Sequence, residues 1–499
     1  MSMTHPPAAL KTESVRHHLD QLVAFVNTAV QDHEALHTIE RGIWTRLLEL
    51  GHQLLTQVFE QCGSGDVGPT VQLPDGREVQ RLPQRHERRY VSIFGTFQLQ
   101  RTVYGSREGQ ALDFVPLDNR LQLPAGAFSY VLQDWDQALG AEQAFGQVST
   151  TIARILPLQQ SVASLEHMNQ EMAQEATPFR LNRPLPPAAE EAELFVVSAD
   201  GKGVVLRRGG ADPAPPAYRT KGDKASQKRM ATVGAVYSVD RYVRTPEQVV
   251  AALFRDGPRP EADRPRPQHK QVWASLPQAD LPVAGMEAVF LWLLWELARR
   301  NPGRAKEVVY LSDGQEALWD AQRESLGDRC TVGILDLLHV TPRLWHAAHV
   351  FHAEKSAAAE AFVRERLLRV LRGQVAGVIQ GLRVQAGRRP LTAAKKKAVR
   401  AVCNYLEKNA GRMRYDTYLA AGYPIASGVI EGACRHLVKD RMERAGMHWT
   451  IPGAQAMLEV RSVYVSGQWD EYQAYRIDQE TQRLYPYREL ATPHYALAG

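Results

Sequence analysis

A chain of 499 residues is long for one compact domain, and length alone favours about two to four. A hydrophobic content of 44% with 23% charged residues is that of ordinary globular protein and excludes a disordered chain, while a net charge of +5 permits a polyanionic partner without demanding one. No apolar run approaches the roughly 18 to 20 residues that span a bilayer, and the opening MSMTHPPAALKTES lacks the charged-then-apolar layout of a secretory signal, so no membrane partner and a cytoplasmic location are expected.

Residues 15 to about 60 read as helix, with Trp44, Leu47, Leu48, Leu54, Leu55 and Val58 recurring at three- and four-residue steps along one apolar face. From about 70 to 105 the period falls to two. VQLPDGREVQ carries a Pro-Asp-Gly turn, and YVSIFGTFQLQRTVYG alternates through Val91, Ile93, Phe97, Leu99 and Val103, which predicts hairpins. Arg81, Arg85, Arg88 and Arg89 crowd the segment between them, either as a solvated strand edge or as a phosphate-contacting surface. Residues 127 to 177 give three short helical segments around FGQVSTTIARIL, a layout that suits a helix-turn-helix and equally a plain helical bundle. The proline- and acid-rich FRLNRPLPPAAEEAE, 179 to 193, reads as a domain boundary.

Beyond it, strands alternate with helices. LFVVSADGKGVVLRR predicts a strand ending at Asp200 and Gly201, ATVGAVYSVDRYV one or two strands, GMEAVFLWLLWELARR a buried helix, EVVYLSDG a strand, QEALWDAQRESL a helix and CTVGILDLLHV another strand. This is the α/β order of a ribonuclease H-like core. Thr341 to about Ala420 is almost wholly helical, and IASGVIEGACRHLVKDRMERAG reads as a separate helix carrying Glu431. The expected division is an N-terminal helical and β-hairpin region over 1–110, a helical DNA-binding region over 111–180, a first part of the core over 181–340, an all-helical insertion over 341–420, the core helix with the last acid over 421–475, and a tail over 476–499.

Metal-dependent cleavage of a phosphodiester needs about three acids from separate elements, because oxygen ligands hold the hard cations that bracket the scissile phosphate. Asp200 and Asp313 each end a predicted strand and precede a glycine, which places a carboxylate at the lip of a sheet, although Asp-Gly is also a common turn pair. Glu431 is followed by Arg435, Lys439 and Arg441, so one helix face would offer a carboxylate to metal and cations to DNA phosphates; an exposed helix with ordinary ion pairs has the same spacing. Lys202, next to Gly201, could approach a phosphate. A basic loop after the first strand, with Arg207, Arg208, Lys221, Lys224, Lys228 and Arg229, reads as a DNA-backbone surface. Trp449 could stack on an unpaired base or fill a core. The four cysteines, Cys62, Cys330, Cys403 and Cys434, lie too far apart for a zinc ribbon and read as buried free thiols.

The runs VSADGKGV, VVYLSDGQEALW, ILDLLHVTPRLW and YPIASGVIEGACRHLVKDRMERAGMHWTIPGAQAMLEVRSVYVSGQWDEY resemble the transposases of the ISKra-four insertion-sequence family, over about residues 190 to 475. Those proteins stand with Mutator-like relatives that share an Asp/Asp/Glu ribonuclease H-like core. The resemblance implies that Asp200, Asp313 and Glu431 bind two Mg²⁺ or Mn²⁺ ions, with Asp200 shared between them. Water and then a DNA 3′-hydroxyl would attack phosphorus in turn. It further implies that Asp336 and His339, in DLLH, brace the site; from the residues alone a buried hydrogen-bonded His fits as well, and Asp336 competes with Asp313 as a ligand. The partners implied are terminal inverted repeats and target DNA, with a homodimer or higher oligomer on DNA in the bacterial nucleoid. The rival readings are a ribonuclease H-like nuclease that never joins strands and a DNA-binding protein with an inactive site. A tyrosine recombinase is disfavoured because Tyr464 and Tyr472 lack an Arg/His setting.

Overall fold

In the computed structural model, which describes residues 12–105, 112–207, 227–257, 264–278, 280–444, 446–487 and 490, the N-terminal helical pattern resolves into two helices, α1 (Thr12–Gln31) and α2 (Leu36–Cys62). The break between them falls at Asp32–Ala35, where His33 adopts a positive φ of 54°. The chain forms two compact units, Met1–Glu175 with Trp469–Gly499, and Ala176–Gln468.

In the first unit the period-two segment forms β1 (Thr70–Gln72), β2 (Glu78–Arg81), β3 (His86–Ser92), β4 (Gly95–Arg101) and β5 (Tyr104–Gly105). The Pro-Asp-Gly turn joins β1 to β2, closed by the Leu73 N–H donating to the Arg77 carbonyl at 2.8 Å. The β3–β4 ladder turns at Ile93-Phe94, with Gly95 at φ 123°, a backbone state that favours glycine. Alternation then turns Phe97 and Leu99 inward against Leu123. Arg88 does not face out as a phosphate contact. It donates to Asp118, which also takes Arg101, and to the carbonyls of Pro124 and Gly126, while Arg81 pairs with Asp66. After α3 (Pro116–Leu121) come α4 (Tyr130–Glu142), α5 (Phe145–Ile155) and α6 (Val162–Ala173), in the stretch where three helical segments are expected. Ser129 and Ser161 cap α4 and α6 by accepting from N–H groups three residues on.

The second unit opens with α7 (Ala176–Asn182) and is built on β6 (Leu194–Leu206), β7 (Gln227–Val239), β8 (Gln268–Ser275), β9 (Glu307–Ser312) and β10 (Val332–Leu335). They form one five-stranded sheet in the order β10-β9-β6-β7-β8. β6, β7 and β8 run as an antiparallel meander, and β9 and β10 add in parallel on the other side of β6. Three departures from the sequence reading stand out. β6 does not end at Asp200–Gly201, because β7 pairs with it residue by residue as far as Leu206. Strand β8, whose polar half Gln268–Lys270 masks its alternation, has no counterpart in the sequence reading; nor has α8 (Pro246–Phe254) before it. The last strand stops at Leu335, and the chain continues as helix from Leu337.

Alternation along β6 divides the core. Phe195, Val197 and Ala199 pack with α9 (Gly285–Arg300) and α10 (Glu316–Ser325), while Leu194 and Val196 pack with Val309, Leu311 and Ile334 beneath an all-helical block. That block comprises α11 (Leu337–Phe351), α12 (Ala357–Leu371), α13 (Val375–Arg388), α14 (Ala393–Asn409) and α15 (Tyr415–Ala420). The chain returns through α16 (Gly428–Ala433), one π-helical stretch at Cys434–Lys439, α17 (Asp440–Met442) and α18 (Ile451–Val465). Among the described residues no helix is long and apolar enough to cross a membrane.

Candidate active site

Register brings the acids together. Val197 pairs with Tyr310 across the parallel β6–β9 ladder, and Asp200 and Asp313 each lie three residues further on. Leu335 pairs with Ser312 across β9–β10, and Asp336 and Asp313 each lie one residue further on. Three aspartates therefore end up level on adjacent parallel strands about 4.8 Å apart, in phase with Val196, Leu311 and Ile334 and so on the face covered by the helical block. Cross-links hold the strands there: Ser312 Oγ donates to the Ala199 carbonyl at 3.0 Å, and the Asp336 N–H to the Ser312 carbonyl at 2.9 Å. Gly314 permits the turn after Asp313, because a Cβ there would lie 2.6 Å from the Tyr405 ring.

Asp336 is wholly buried and caps α11. Its Oδ1 accepts the N–H groups of Leu338 at 2.8 Å and Ser427 at 3.3 Å. Its Oδ2 accepts the Ser427 hydroxyl and lies 3.2 Å from His339 Nδ1. A carboxylate offers about four lone-pair sites, so these four donors use its capacity. Since it only accepts, the Nδ1–H of His339 donates, and in the neutral ring Nε2 keeps its lone pair. Ser427 escaped sequence reasoning: as the residue before α16 it reads as a cap, yet its hydroxyl makes no capping bond and turns to Asp336 instead. Its own carbonyl accepts the Glu431 N–H at 3.2 Å, which ties the last acid to the Asp336 network.

Asp336, His339 and Glu431 offer ligand atoms within 4.8 Å of one another, a group that could hold a metal ion. Asp200 and Asp313 lie outside that tightest group yet within its field. Burial, then the charge of Asp313, push the Asp200 carboxyl above its usual range, against hydrogen bonds from the Gly201 N–H at 2.6 Å and the Cys434 thiol at 3.5 Å. Glu431 is raised too, by partial burial of its carboxyl and then by Asp336 and Asp200. His339 is raised by its hydrogen bond to Asp336 and by the charges of Asp336, Asp313 and Asp200. Crowded carboxylates that resist ionisation, beside an imidazole that holds its proton, are what a divalent cation would relieve. The donor set is oxygen-rich with one imidazole and fits Mg²⁺ or Mn²⁺.

The expected DNA contacts fare unevenly. Arg208, Lys221 and Lys224 lie outside the described residues. Lys228 and Arg229 belong to strand β7 rather than to a loop; Lys228 pairs with Glu443 at 2.9 Å and Arg229 donates to the Pro277 carbonyl. The same Glu443 takes Lys202 at 3.7 Å. Arg207 is exposed, with Nε donating to the His448 carbonyl. Arg435 and Lys439 are exposed on the Glu431 segment, Arg435 sharing Asp440 with His436. Two expectations are corrected. Arg441 is fully buried and lies over the Trp449 ring, and Trp449, 9% exposed, donates its indole N–H to the Met442 carbonyl. Both side chains are therefore held in the interior rather than presented on the surface. All four cysteines are free, with Cys403 and Cys434 buried and Cys62 and Cys330 only partly so.

No family model matches the chain, and no curated protein matches it. Among solved structures it is similar to the Drosophila P element transposase strand transfer complex, at 11% identity over 74% of this chain and 88% of that one, with a TM-score of 0.26. A likeness of that size bears no weight, and function has to be read from the residues themselves.

Proposed function

We propose that the second unit is a ribonuclease H-like catalytic core and that the protein is a DNA transposase of the Asp/Asp/Glu class, cleaving and joining DNA ends. What supports this is that Asp200, Asp313 and Asp336 follow matched positions on three adjacent parallel strands of a sheet ordered β10-β9-β6-β7-β8, and that Glu431, grouped with Asp336 and His339, feels the charges of Asp336 and Asp200. That order, a meander followed by two parallel strands, supports a ribonuclease H-like core.

In this reading Asp200, Asp313 and Glu431 hold two Mg²⁺ or Mn²⁺ ions, and Asp336 and His339, which stand with Glu431, brace the site and add ligand atoms beside it. The ions, when bound, supply charge neutralisation at the attacking and leaving oxygens of the phosphodiester. His339 donates its Nδ1–H to Asp336, and in the imidazolium form its Nε2–H can donate to a phosphate oxygen. Exposed Arg435 and Lys439 steer the DNA backbone toward the acids.

The test is cleavage of terminal-repeat DNA with Mg²⁺ or Mn²⁺. Asp200→Asn, Asp313→Asn and Glu431→Gln should each lower the rate at least about 100-fold, a loss of roughly 3 kcal/mol of transition-state stabilisation. Near wild-type cleavage by any of the three removes the assignment. Joining of pre-cleaved 3′-hydroxyl ends to a target plasmid separates a transposase from a nuclease that only hydrolyses.

A further inference from the structure

Beside strand β10, the sheet's edge, a cavity of about 280 Å³ opens between α10, the start of β10 and the turn Ala410–Arg412 that follows α14. Arg323, Arg412 and Arg414 line it together with two aromatic residues, Trp319 and Tyr418. Arg412 stacks 3.9 Å above the Trp319 ring and donates to Asn409 Oδ1, while Arg414 stands over Tyr418 at 6.0 Å. Among the described residues the ion pairs of this region are Arg323–Asp320 and Lys408–Glu316, and neither involves Arg412 or Arg414. Burial, then the adjacent Arg323 charge, hold Arg412 below the usual guanidinium range, with Glu316 and Asp320 offsetting only part of the effect.

One wall of the cavity, Trp319, is tied to the backbone that carries Asp313. Trp319 Nε1 donates to the Asp313 carbonyl at 2.6 Å, and a Cβ at Gly333 would lie 2.9 Å from the Trp319 ring, so the indole is wedged between the two. Gly333 lies on the same strand that delivers Asp336. Arg412 already covers the Trp319 face, which leaves no platform for a base. A fork of planar guanidinium groups, part-fixed by stacking, matches the paired oxygens of a phosphate.

We propose that this cavity binds one backbone phosphate of the DNA strand whose scissile phosphate lies at the carboxylate site. The inference rests on the proposed catalytic role of those carboxylates and adds a second fixed point that sets where along the strand the acids act.

The experiment measures duplex DNA binding to the full chain against salt concentration, in Ca²⁺, for wild type, Arg412→Gln/Arg414→Ala and Arg412→Lys. Each phosphate contact contributes about 0.9 to the slope of log K against log salt, so the double variant should lose about one unit of slope and bind about 3- to 10-fold more weakly near 0.15 M salt. Arg412→Lys, keeping the charge, should retain the slope. In wild type a single neutral methylphosphonate close to the scissile position should weaken binding, and in the double variant the same substitution should cost nothing further. A folded double variant, shown by an unchanged thermal midpoint, with wild-type slope and methylphosphonate profile overturns the proposal. If it does so while Asp200→Asn abolishes cleavage, only this inference falls; if the slope changes as expected but Asp200→Asn still cleaves, the catalytic reading falls and the phosphate site stands. Absence of DNA binding by wild type removes both.

Discussion

Asp336 shows how much one buried carboxylate can organise. Its four hydrogen bonds link the end of β10, the first turn of α11, the His339 ring and the residue that begins the Glu431 helix. Ser427→Ala removes the hydroxyl from Oδ2 and leaves a buried charge one donor short, at a cost of about 1–3 kcal/mol in stability. Because Ser427 also fixes where α16 starts, the loss should extend to Glu431. The expected outcome is cleavage lowered about 10-fold or more with a higher Mn²⁺ requirement, and partial recovery in Ser427→Thr. A purely structural role would lower the unfolding midpoint and leave the metal requirement of the folded fraction unchanged. Asp200, Asp313 and Glu431 were singled out because acids before glycines and an acid beside cations are local patterns, and because the surrounding runs resemble a known family. Ser427 was invisible because its partner lies 91 positions away. Arg441, expected as a DNA contact, and Trp449, left open between base stacking and core, both needed burial to be placed, and both are interior.

At the scale of elements, helices were the more legible. α4, α5 and α6 fall in the stretch where three short helical segments were expected, whereas β6 was cut short because Asp-Gly is a turn signal that a long antiparallel partner overrides. The α4–α6 region also holds a group that periodicity passes over. Asp136 is fully buried, with Oδ2 accepting from Gln160 Nε2 at 2.5 Å, and burial pushes its carboxyl up to about 7 against that hydrogen bond. Below about pH 4 the folded and unfolded chains both carry this proton; between about 4 and 7 only the folded chain does. Stability therefore falls as pH rises across that window, and above 7 the full cost of a buried charge applies. Asp136→Asn abolishes the dependence. Relative to wild type, amide exchange from α4–α6 should slow in the variant by an amount equivalent to about 2–4 kcal/mol at pH 8 and close to zero at pH 4. An equal difference at both pH values would mean that Asp136 does not change charge on unfolding in this range.

At the scale of the whole second unit, element order was readable and register was not. Alternating strands and helices foretell an α/β sheet, but nothing local says that Val197 meets Tyr310 or that Leu335 meets Ser312, and those two pairings bring the acids level. The resulting crowd of like charges has a thermodynamic consequence. Asp200 and Glu431 are both harder to ionise here than in an unfolded chain, so each holds its proton more tightly when folded, and stability is lost as pH rises through the ordinary carboxylate range towards their raised values. Removing one charge should then stabilise the metal-free protein even as it disables the site, with Asp200→Asn raising the midpoint of thermal unfolding by about 2–4 °C at pH 7.5 without divalent ions. Bound Mn²⁺ relieves the same repulsion by another route. Saturation to about 100 times its dissociation constant should stabilise wild type by about 2.7 kcal/mol, and Asp200→Asn should forfeit most of that gain. The two effects have opposite signs from one substitution, which a general loss of packing cannot produce. Thermal scans of both proteins with chelator and with Mn²⁺ read them directly, and a variant less stable than wild type in chelator would show that the Asp200 carboxylate supports the fold rather than straining it.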